Sequence, residues 1–300
     1  RFWKLIEKYK VSWTELSPAL IRAQMIKDEK LFKDLDLSSL RMICTGGEPW
    51  TEKPWKWLFQ VIGKSKVPIM NSAGGTEVSG SILHCCLHRP FKVGSFNAPI
   101  PGMSADILNL DGKKVSTNEM GELVMRKSSI GLTKSLWNDD KRYIDNYWSV
   151  IKDYWVHGDL ASRDADGHWY LHGRSDDTIK VSGKRIGPSE LESVIVKSGK
   201  AKEVAAVGIP DANKGSKIIL SIVPAENNDQ KESFFEDLVI KDLGKSFKPD
   251  KVIFVKDLPK TRNMKIMRRV IKSCLANQDP GDLSTLLNPE SVEEIRSHAI

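Results

Sequence analysis

The sequence predicts an α/β fold, a larger unit followed by a smaller α+β one. Three observations lead to this. Short apolar stretches, Leu40 to Cys44 and Val67 to Met70, flank a helical stretch, Trp55 to Ile62, in the order of strands and a crossover helix. Both run into glycine pairs, Gly46-Gly47 and Gly74-Gly75, at the carboxyl ends of the expected strands. Glycine lets a backbone approach a ligand closely, and open α/β sheets bind ligands at that edge. Finally, 300 residues exceed one ordinary domain, and the pattern changes after Asp176.

Taken in order, residues 1–30 read as two helical pieces around Ser17-Pro18. Proline suits a first helical turn, and Leu20, Ile21, Gln24 and Met25 follow at helical spacing. The stretch 91–126 is strand-rich, with a turn at Pro99-Ile100-Pro101-Gly102 and strands Ala105 to Leu110 and Gly121 to Arg126 around the Asp111-Gly112 turn. Trp137 to Trp148 is polar and aromatic. Trp169 to Leu171 and Thr178 to Val181 read as short strands. The smaller unit begins with a helix, Pro188 to Val196, presenting Leu191, Val194 and Ile195 on one face. Strands Val204 to Ile209 and Ile218 to Val223, helix Phe234 to Leu243, strand Val252 to Val255 and an amphipathic helix Ile266 to Leu275 follow. Beyond Asn277, a polar stretch opening on Asp279-Pro280-Gly281-Asp282 shows no legible element.

Composition narrows the class. At 40% hydrophobic and 28% charged, the chain is that of a soluble protein with a sizeable core. No apolar run nears the ~20 residues of a membrane span, and no signal peptide is visible. A net charge of +7 favours anionic ligands. The lysines are dispersed among acids without a basic block, which suits phosphorylated small molecules and argues against nucleic acid. Cys44, Cys85, Cys86 and Cys274 form no paired framework, as expected of a reducing cytoplasm. Zinc sites use separated pairs, so His84-Cys85-Cys86-Leu87-His88 is not read as a metal site. The first residue is Arg1, so a fragment is expected.

The chemistry concentrates between His157 and Gly187. Asp159 is a carboxylate able to accept from sugar hydroxyls, and Arg174 or Arg185 can grip phosphate oxygens bidentately. Ser182-Gly183 is a flexible turn before two cations. A surface meander with solvated charges fits the same residues. Upstream, Thr76 and Glu77 pair a hydroxyl with a carboxylate, suited to magnesium and the phosphates it bridges. A plain turn with Thr76 capping a helix reads equally well.

Four motifs, in order, carry a resemblance over nearly the whole chain. They are Thr45-Gly46-Gly47-Glu48-Pro49, Gly74-Gly75-Thr76-Glu77, the His157–Gly187 stretch, and Pro259 to Arg269 with Lys265 inside it. Together they resemble AMP-forming acyl-CoA synthetases of the adenylate-forming superfamily, above all the acetyl-CoA synthetase branch and its archaeal-type short- and medium-chain relatives. The resemblance implies the carboxyl-terminal part of the large AMP-binding domain over 1–175, with a β-subdomain about 91–150. A small mobile domain over 176–277 and a polar tail over 278–300 would follow. It implies ATP-dependent ligation of a short- or medium-chain carboxylic acid to coenzyme A through an acyl-adenylate, with ATP, magnesium and coenzyme A, in the cytoplasm. It says nothing of oligomeric state.

By the same resemblance, Gly47, Glu48 and Pro49 line the adenine and Asn71 reads its amino group. Gly75 and Thr76 belong to the ATP/AMP site, and Glu77 meets the metal. Asp159 holds the ribose, Arg174 bridges ribose and phosphate, and Arg185 meets phosphates during adenylation. Lys265 is the catalytic lysine, Asp176 the hinge, Ser182 and Gly183 the pantetheine channel, and Gly74 the acyl pocket. Two other readings are an adenylate-forming enzyme that loads a carrier-protein thiol and a non-catalytic half of a split enzyme.

Three departures stand out. Asn263-Met264 replaces the usual Ser-Gly before the lysine, Ala73 replaces an aromatic, and Gly74 replaces a tryptophan that floors the pocket of acetate-restricted members. That last change is expected to widen the pocket. The Ser/Thr/Gly-rich loop that wraps the β- and γ-phosphates in the family does not occur in these residues, so the chain as given is expected to bind nucleotide poorly.

Overall fold

A computed structural model describes residues 1–25, 30–226 and 229–300. They divide into two compact units, Arg1–His172 and Gly173–Ile300. Residues 26–29, the end of the helical stretch expected over 1–30, lie outside the described residues.

The first unit opens with α1 (Phe2–Tyr9), β1 (Trp13–Leu16), α2 (Pro18–Met25) and α3 (Lys30–Lys33). Strand β1 interrupts the helical reading of this region. Its side chains alternate exposed and buried over four residues, too few for a periodicity argument to separate from a helix end. Next come β2 (Met42–Gly46), α4 (Glu52–Trp57) with a wider π-turn over Leu58–Ile62, β3 (Ile69–Gly75), β4 (Gly80–His84) and β5 (Ala98–Pro99). These strands form one sheet in the order β1-β2-β3-β4-β5, parallel across β1, β2 and β3 and antiparallel after that. Buried Trp3, Ile6, Ile21, Ile43, Trp55, Leu58 and Ile69 share one core around its parallel part.

A second sheet is ordered β6 (Ala105–Leu108), β7 (Gly121–Met125), β8 (Trp155–Arg163) and β9 (Trp169–Arg174). Its last two strands lie past residue 150, beyond the end of the expected β-subdomain, because Trp155, Ala161 and Trp169 bury with Ile107, Leu123 and Met125 in one cluster. Between β7 and β8 run α5 (Asp140–Tyr143) and a π-turn, Ile144–Trp148.

Lys92 fastens the loop before β5 to the β8–β9 turn. Its Nζ lies 2.6 Å from Asp164 Oδ2 and 2.5 Å from Asp166 Oδ2. Burial alone would raise the Asp164 carboxyl, but Lys92, the His168 N–H and the Tyr170 hydroxyl together lower it from 3.8 to about 2. A carboxyl whose pKa is depressed by folding stabilises above its unfolded pKa and loses that effect as pH falls through its folded one. Asp164→Asn is therefore expected to cost roughly 1 kcal/mol near pH 7, since solvent screens the exposed Lys92 partner, and far less near pH 2. Urea midpoints of the two proteins across that range test this, and a gap independent of pH would contradict it.

The second unit holds the hairpin β10 (Ile179–Val181) and β11 (Lys184–Ile186), then α6 (Pro188–Lys197), β12 (Ala201–Asp211), β13 (Gly215–Pro224), α7 (Glu232–Leu243), β14 (Lys251–Phe254), α8 (Arg268–Leu275) and α9 (Glu290–Arg296). The sheet β12-β13-β14 is antiparallel then parallel. One face packs on α6 and α7 through Leu191, Ile195, Phe235 and Val239. The other packs on α8 and α9 through Val270, Ile271, Val292 and Ile295. Thus the polar stretch 278–300 carries a helix that is part of the core. Its surroundings are so polar that its two buried apolar side chains, Val292 and Ile295, give no period to read. Among the described residues no helix is long and apolar enough to cross a membrane.

Candidate active site

In the first unit the site begins where β2 ends beside the middle of β3, with Thr45 opposite Asn71 and Gly46 opposite Ser72. The strands approach so closely that a Cβ on Gly46 would lie 2.7 Å from the Ser72 carbonyl oxygen. Gly47 then takes φ +94°, where a side chain is strained, and turns the chain into Glu48 and Pro49. The Glu48 carboxylate is held by Arg22 of α2, whose Nη2 lies 3.0 and 2.9 Å from its two oxygens. Arg22 escaped the sequence reading because only the fold brings α2 to this turn. Asn71 is buried and donates from Nδ2 to the Gly94 carbonyl at 3.2 Å.

The segment Asn71 to Glu77, which carries Gly74-Gly75 and the Thr76-Glu77 pair suited to magnesium and phosphates, is mostly strand. Asn71–Gly75 belong to β3, and only Thr76–Val78 form a short 3₁₀ turn before β4. Gly74 pairs with Ser81, and a Cβ on it would lie 2.0 Å from the Gly80 carbonyl oxygen. The volume expected to open at Gly74 is thus taken up by the backbone of β4, and Gly74→Trp would displace that strand. Gly75 serves differently. A Cβ there would lie 2.8 Å from Glu77 Oε2 and 3.4 Å from His157 Cε1, so the glycine leaves room between them.

Asp159 reaches this place through an irregularity in β8. Glu122 pairs with Leu160 and Val124 with Val156, so His157, Gly158 and Asp159 face Leu123 alone and bulge from the strand. Gly158 takes φ +81°, which permits the bulge, and bulges often re-aim side chains beside sites. His157 Nε2 lies 3.2 Å from Asp159 Oδ2. Its ring neighbours Trp155 (5.6 Å between centroids), which stacks on Tyr147 at 5.2 Å and 7°. The Tyr147 hydroxyl donates to Glu77 Oε1 at 3.0 Å. An aromatic ladder therefore connects the two carboxylates. His157 sits two residues from Asp159, a spacing that flags it in a regular strand. Tyr147 carries no comparable signal.

In the second unit, Gly173 takes φ +108°, and three residues on, Asp176 Oδ1 accepts from Arg174 Nε at 3.1 Å. Burial and the neighbouring Asp176 push the Asp177 carboxyl up, against the pull of Arg268 and Arg174. Ser182 (φ +48°) and Gly183 (φ +81°) are the two central residues of the β10–β11 turn, closed by the pair Val181 and Lys184. Positive φ at both positions makes the type I′ geometry that favours glycine. Arg185 follows on β11, exposed. Lys265 lies at the end of a separate loop. Its N–H donates to Thr261 Oγ1 (3.2 Å), its carbonyl accepts from the Thr261 N–H (2.9 Å), and its side chain is exposed. Met264 stands at φ +65° in that loop, a left-handed conformation that costs a side chain about 1–2 kcal/mol, at the position where glycine is usual in the family that the sequence resembles.

Sequence models of two families match the chain: AMP-binding enzyme over residues 1–137 and AMP-binding enzyme C-terminal domain over 190–265. The chain belongs to the AMP-binding enzymes. It is 35% identical to an acetyl-coenzyme A synthetase of Pasteurella multocida, over 99% of this chain and 47% of that protein. It spans about half the length of the curated relatives it matches. An anthranilate CoA ligase solved with anthranoyl-AMP matches at 26% identity and TM-score 0.74, over 89% of this chain and 50% of the other. The acetoacetyl-CoA synthetase of Streptomyces lividans shares the fold, with TM-score 0.84 at 22% identity over 98% of this chain and 46% of the other. Asp159, Arg174, Asp176, Ser182, Gly183 and Arg185 of this AMP-binding family member lie between the two matched stretches.

Proposed function

We propose that the chain takes part in joining a short- or medium-chain carboxylic acid to AMP and passing the acyl group to coenzyme A. The observation that carries this is that, within one unit, the Gly47-Glu48 turn leaves β2 beside β3, and β3 leads to the Gly75–Glu77 segment, which meets the β8 bulge bearing His157 and Asp159. In the first step a carboxylate oxygen attacks the α-phosphorus of ATP and pyrophosphate leaves. In the second the coenzyme A sulfur, its proton lost, attacks the acyl carbonyl and AMP leaves.

A carboxylate is a weak nucleophile, so positioning and charge neutralisation supply most of the rate. On this reading Gly47, Glu48 and Pro49 bound the adenine, with Arg22 fixing Glu48, and Asn71 Oδ1 accepts from the adenine amino group. Gly75 and Thr76 bring backbone and hydroxyl to the phosphates. Asp159, oriented by His157, accepts from the ribose hydroxyls, and Arg174 and Arg185 take ribose and phosphate contacts. Lys265 neutralises charge between the acid and the α-phosphate. Ser182 and Gly183 border the pantetheine path, Asp176 is the pivot between the two steps, and Gly74 contributes backbone to the acyl pocket.

Magnesium, which accompanies ATP in such chemistry, would be met by Glu77 and the nucleotide's own phosphates. Among the described residues no group of three or more His, Cys, Asp or Glu side chains is placed to hold a metal. One carboxylate plus phosphates is a usual magnesium arrangement. Its soluble substrates, ATP, coenzyme A and a small acid, make the cytoplasm the compartment we assign.

The test is ATP–pyrophosphate exchange by the full-length protein with acetate, propionate, butyrate and 2-methylbutyrate. Acid-dependent exchange with at least one of them is expected, followed by thioester formation when coenzyme A is added. No exchange with any would overturn the reading.

A further inference from the structure

The segment 285–288 lies outside both family matches, yet it is bonded to the root of the loop that carries Lys265. The loop leaves Lys260 and returns at Ile266, and these two residues pair across its base. Against the outgoing strand, Thr261 pairs with Leu286, the Leu287 N–H donates to the Lys260 carbonyl at 2.8 Å, and the Arg262 N–H donates to the Thr285 carbonyl at 3.2 Å.

Asn288, only 7% exposed, completes the attachment with its whole amide. Its Oδ1 accepts from the Lys260 N–H at 3.0 Å. Its Nδ2 donates to Asp257 Oδ2 and to the Leu258 carbonyl, each at 2.8 Å. The Lys260 side chain, 6% exposed, meets the other oxygen of the same Asp257 carboxylate at 2.5 Å and Glu203 at 2.6 Å. A buried charge so placed stays only with its partners intact, which makes this root the rigid end of an exposed loop.

Behind Asn288, the Ser291 hydroxyl donates to its carbonyl at 2.7 Å, and Val292 and Ile295 of α9 sit in the core with Leu258 and Ile271. The loop is thereby tied to the sheet and to α9, while Lys265, five residues from Lys260, is held by Thr261 at 3.2 Å.

We propose that segment 285–288 is a clamp that sets where Lys265 stands, and that Asn288 is a positioning residue for that lysine. This rests on the role proposed above for Lys265. A side chain that must meet a transition state is sensitive to displacements near 1 Å, so loosening the root should be felt in the first step and not in the second.

The experiment uses the full-length protein, with Asn288→Ala, Asn288→Asp and Lys265→Ala each assayed for both half-reactions. Asn288→Ala is expected to lower adenylation about tenfold, with the KM for ATP and thioester formation from pre-made acyl-adenylate each within about twofold of wild type. Asn288→Asp keeps the acceptor for the Lys260 N–H and should recover part of the loss. Equal loss of both half-reactions in Asn288→Ala would reduce Asn288 to a stability role and overturn the proposal. No loss of either would do the same. If Lys265→Ala itself leaves adenylation intact, the role of Lys265 has failed and the clamp falls with it. If Lys265→Ala abolishes adenylation while Asn288→Ala does not lower it selectively, only the clamp has failed. Amide exchange on the wild-type protein decides the matter should the alanine variant not fold. The Lys260 and Leu287 amides are expected to be as slow as that of Ile295, and open-loop rates at both would overturn the clamp.

Discussion

Replacing Lys265 by alanine in the full-length protein is expected to lower acyl-adenylate formation about 10²–10³-fold, the loss usual when one preorganised donor to developing charge is removed. The loop geometry underlies the expectation. Lys265 is exposed at the end of a loop tied at both roots, so the ammonium is solvated in the free protein and available to a ligand. A surface lysine with no other role would leave both half-reactions unchanged on removal. Thioester formation from pre-made acyl-adenylate is expected to stay within about twofold, since the phosphate charge that the lysine offsets has already been dispersed. Rates of pyrophosphate exchange and of thioester formation, compared in wild type and variant, measure the two effects. Loss of both to the same extent would remove Lys265 from the first step.

The second large effect is expected at Trp155. Its indole is fully buried between Tyr147 and His157. Among the described residues its indole N–H has no acceptor, so the side chain contributes through packing. Trp155→Ala is expected to destabilise the protein by about 3–5 kcal/mol, the range for deleting a large buried aromatic. The cavity would also release Tyr147 from Glu77 and His157 from Asp159. Nucleotide affinity should then fall by more than the population of unfolded protein explains, whereas Trp155→Phe, which keeps a ring in the stack, should retain most of both. Urea unfolding gives the first quantity and equilibrium ATP binding on the folded fraction the second. Unchanged affinity in a folded Trp155→Ala would show that the ladder does not position the carboxylates.

The site was legible in the sequence to different depths. Glycines at the ends of β2 and β3 were readable because a turn and a close strand approach leave few other residue choices, as the 2.7 Å clash at Gly46 shows. Gly74 had the same signal with a different cause. In the sequence it stands for an absent tryptophan and an opened pocket, while in the fold it admits β4 at 2.0 Å. Sequence alone cannot tell a glycine that makes space from one that removes a clash.

Helices α6 and α7 were legible because their apolar residues recur at helical spacing, and β12 and β13 because each holds a continuous apolar run, Val204 to Ile209 and Ile218 to Val223, between polar segments. The short β1 and β4 were not, since Trp13-Thr14-Glu15-Leu16 and Gly80-Ser81-Ile82-Leu83-His84 mix apolar with polar or glycine residues and hold no continuous apolar run. By itself the sequence determined the α/β class, the order of the longer elements and the motif-bearing turns, because these depend on local periodicity and backbone freedom. Only the tertiary structure decided that Arg22 grips Glu48 across 26 residues, that Tyr147 meets Glu77 across 70, and that Asn288 holds Lys260 across 28. Such pairs form because folding brings distant donors and acceptors out of water together, and a buried polar group must then find a partner wherever the chain supplies one.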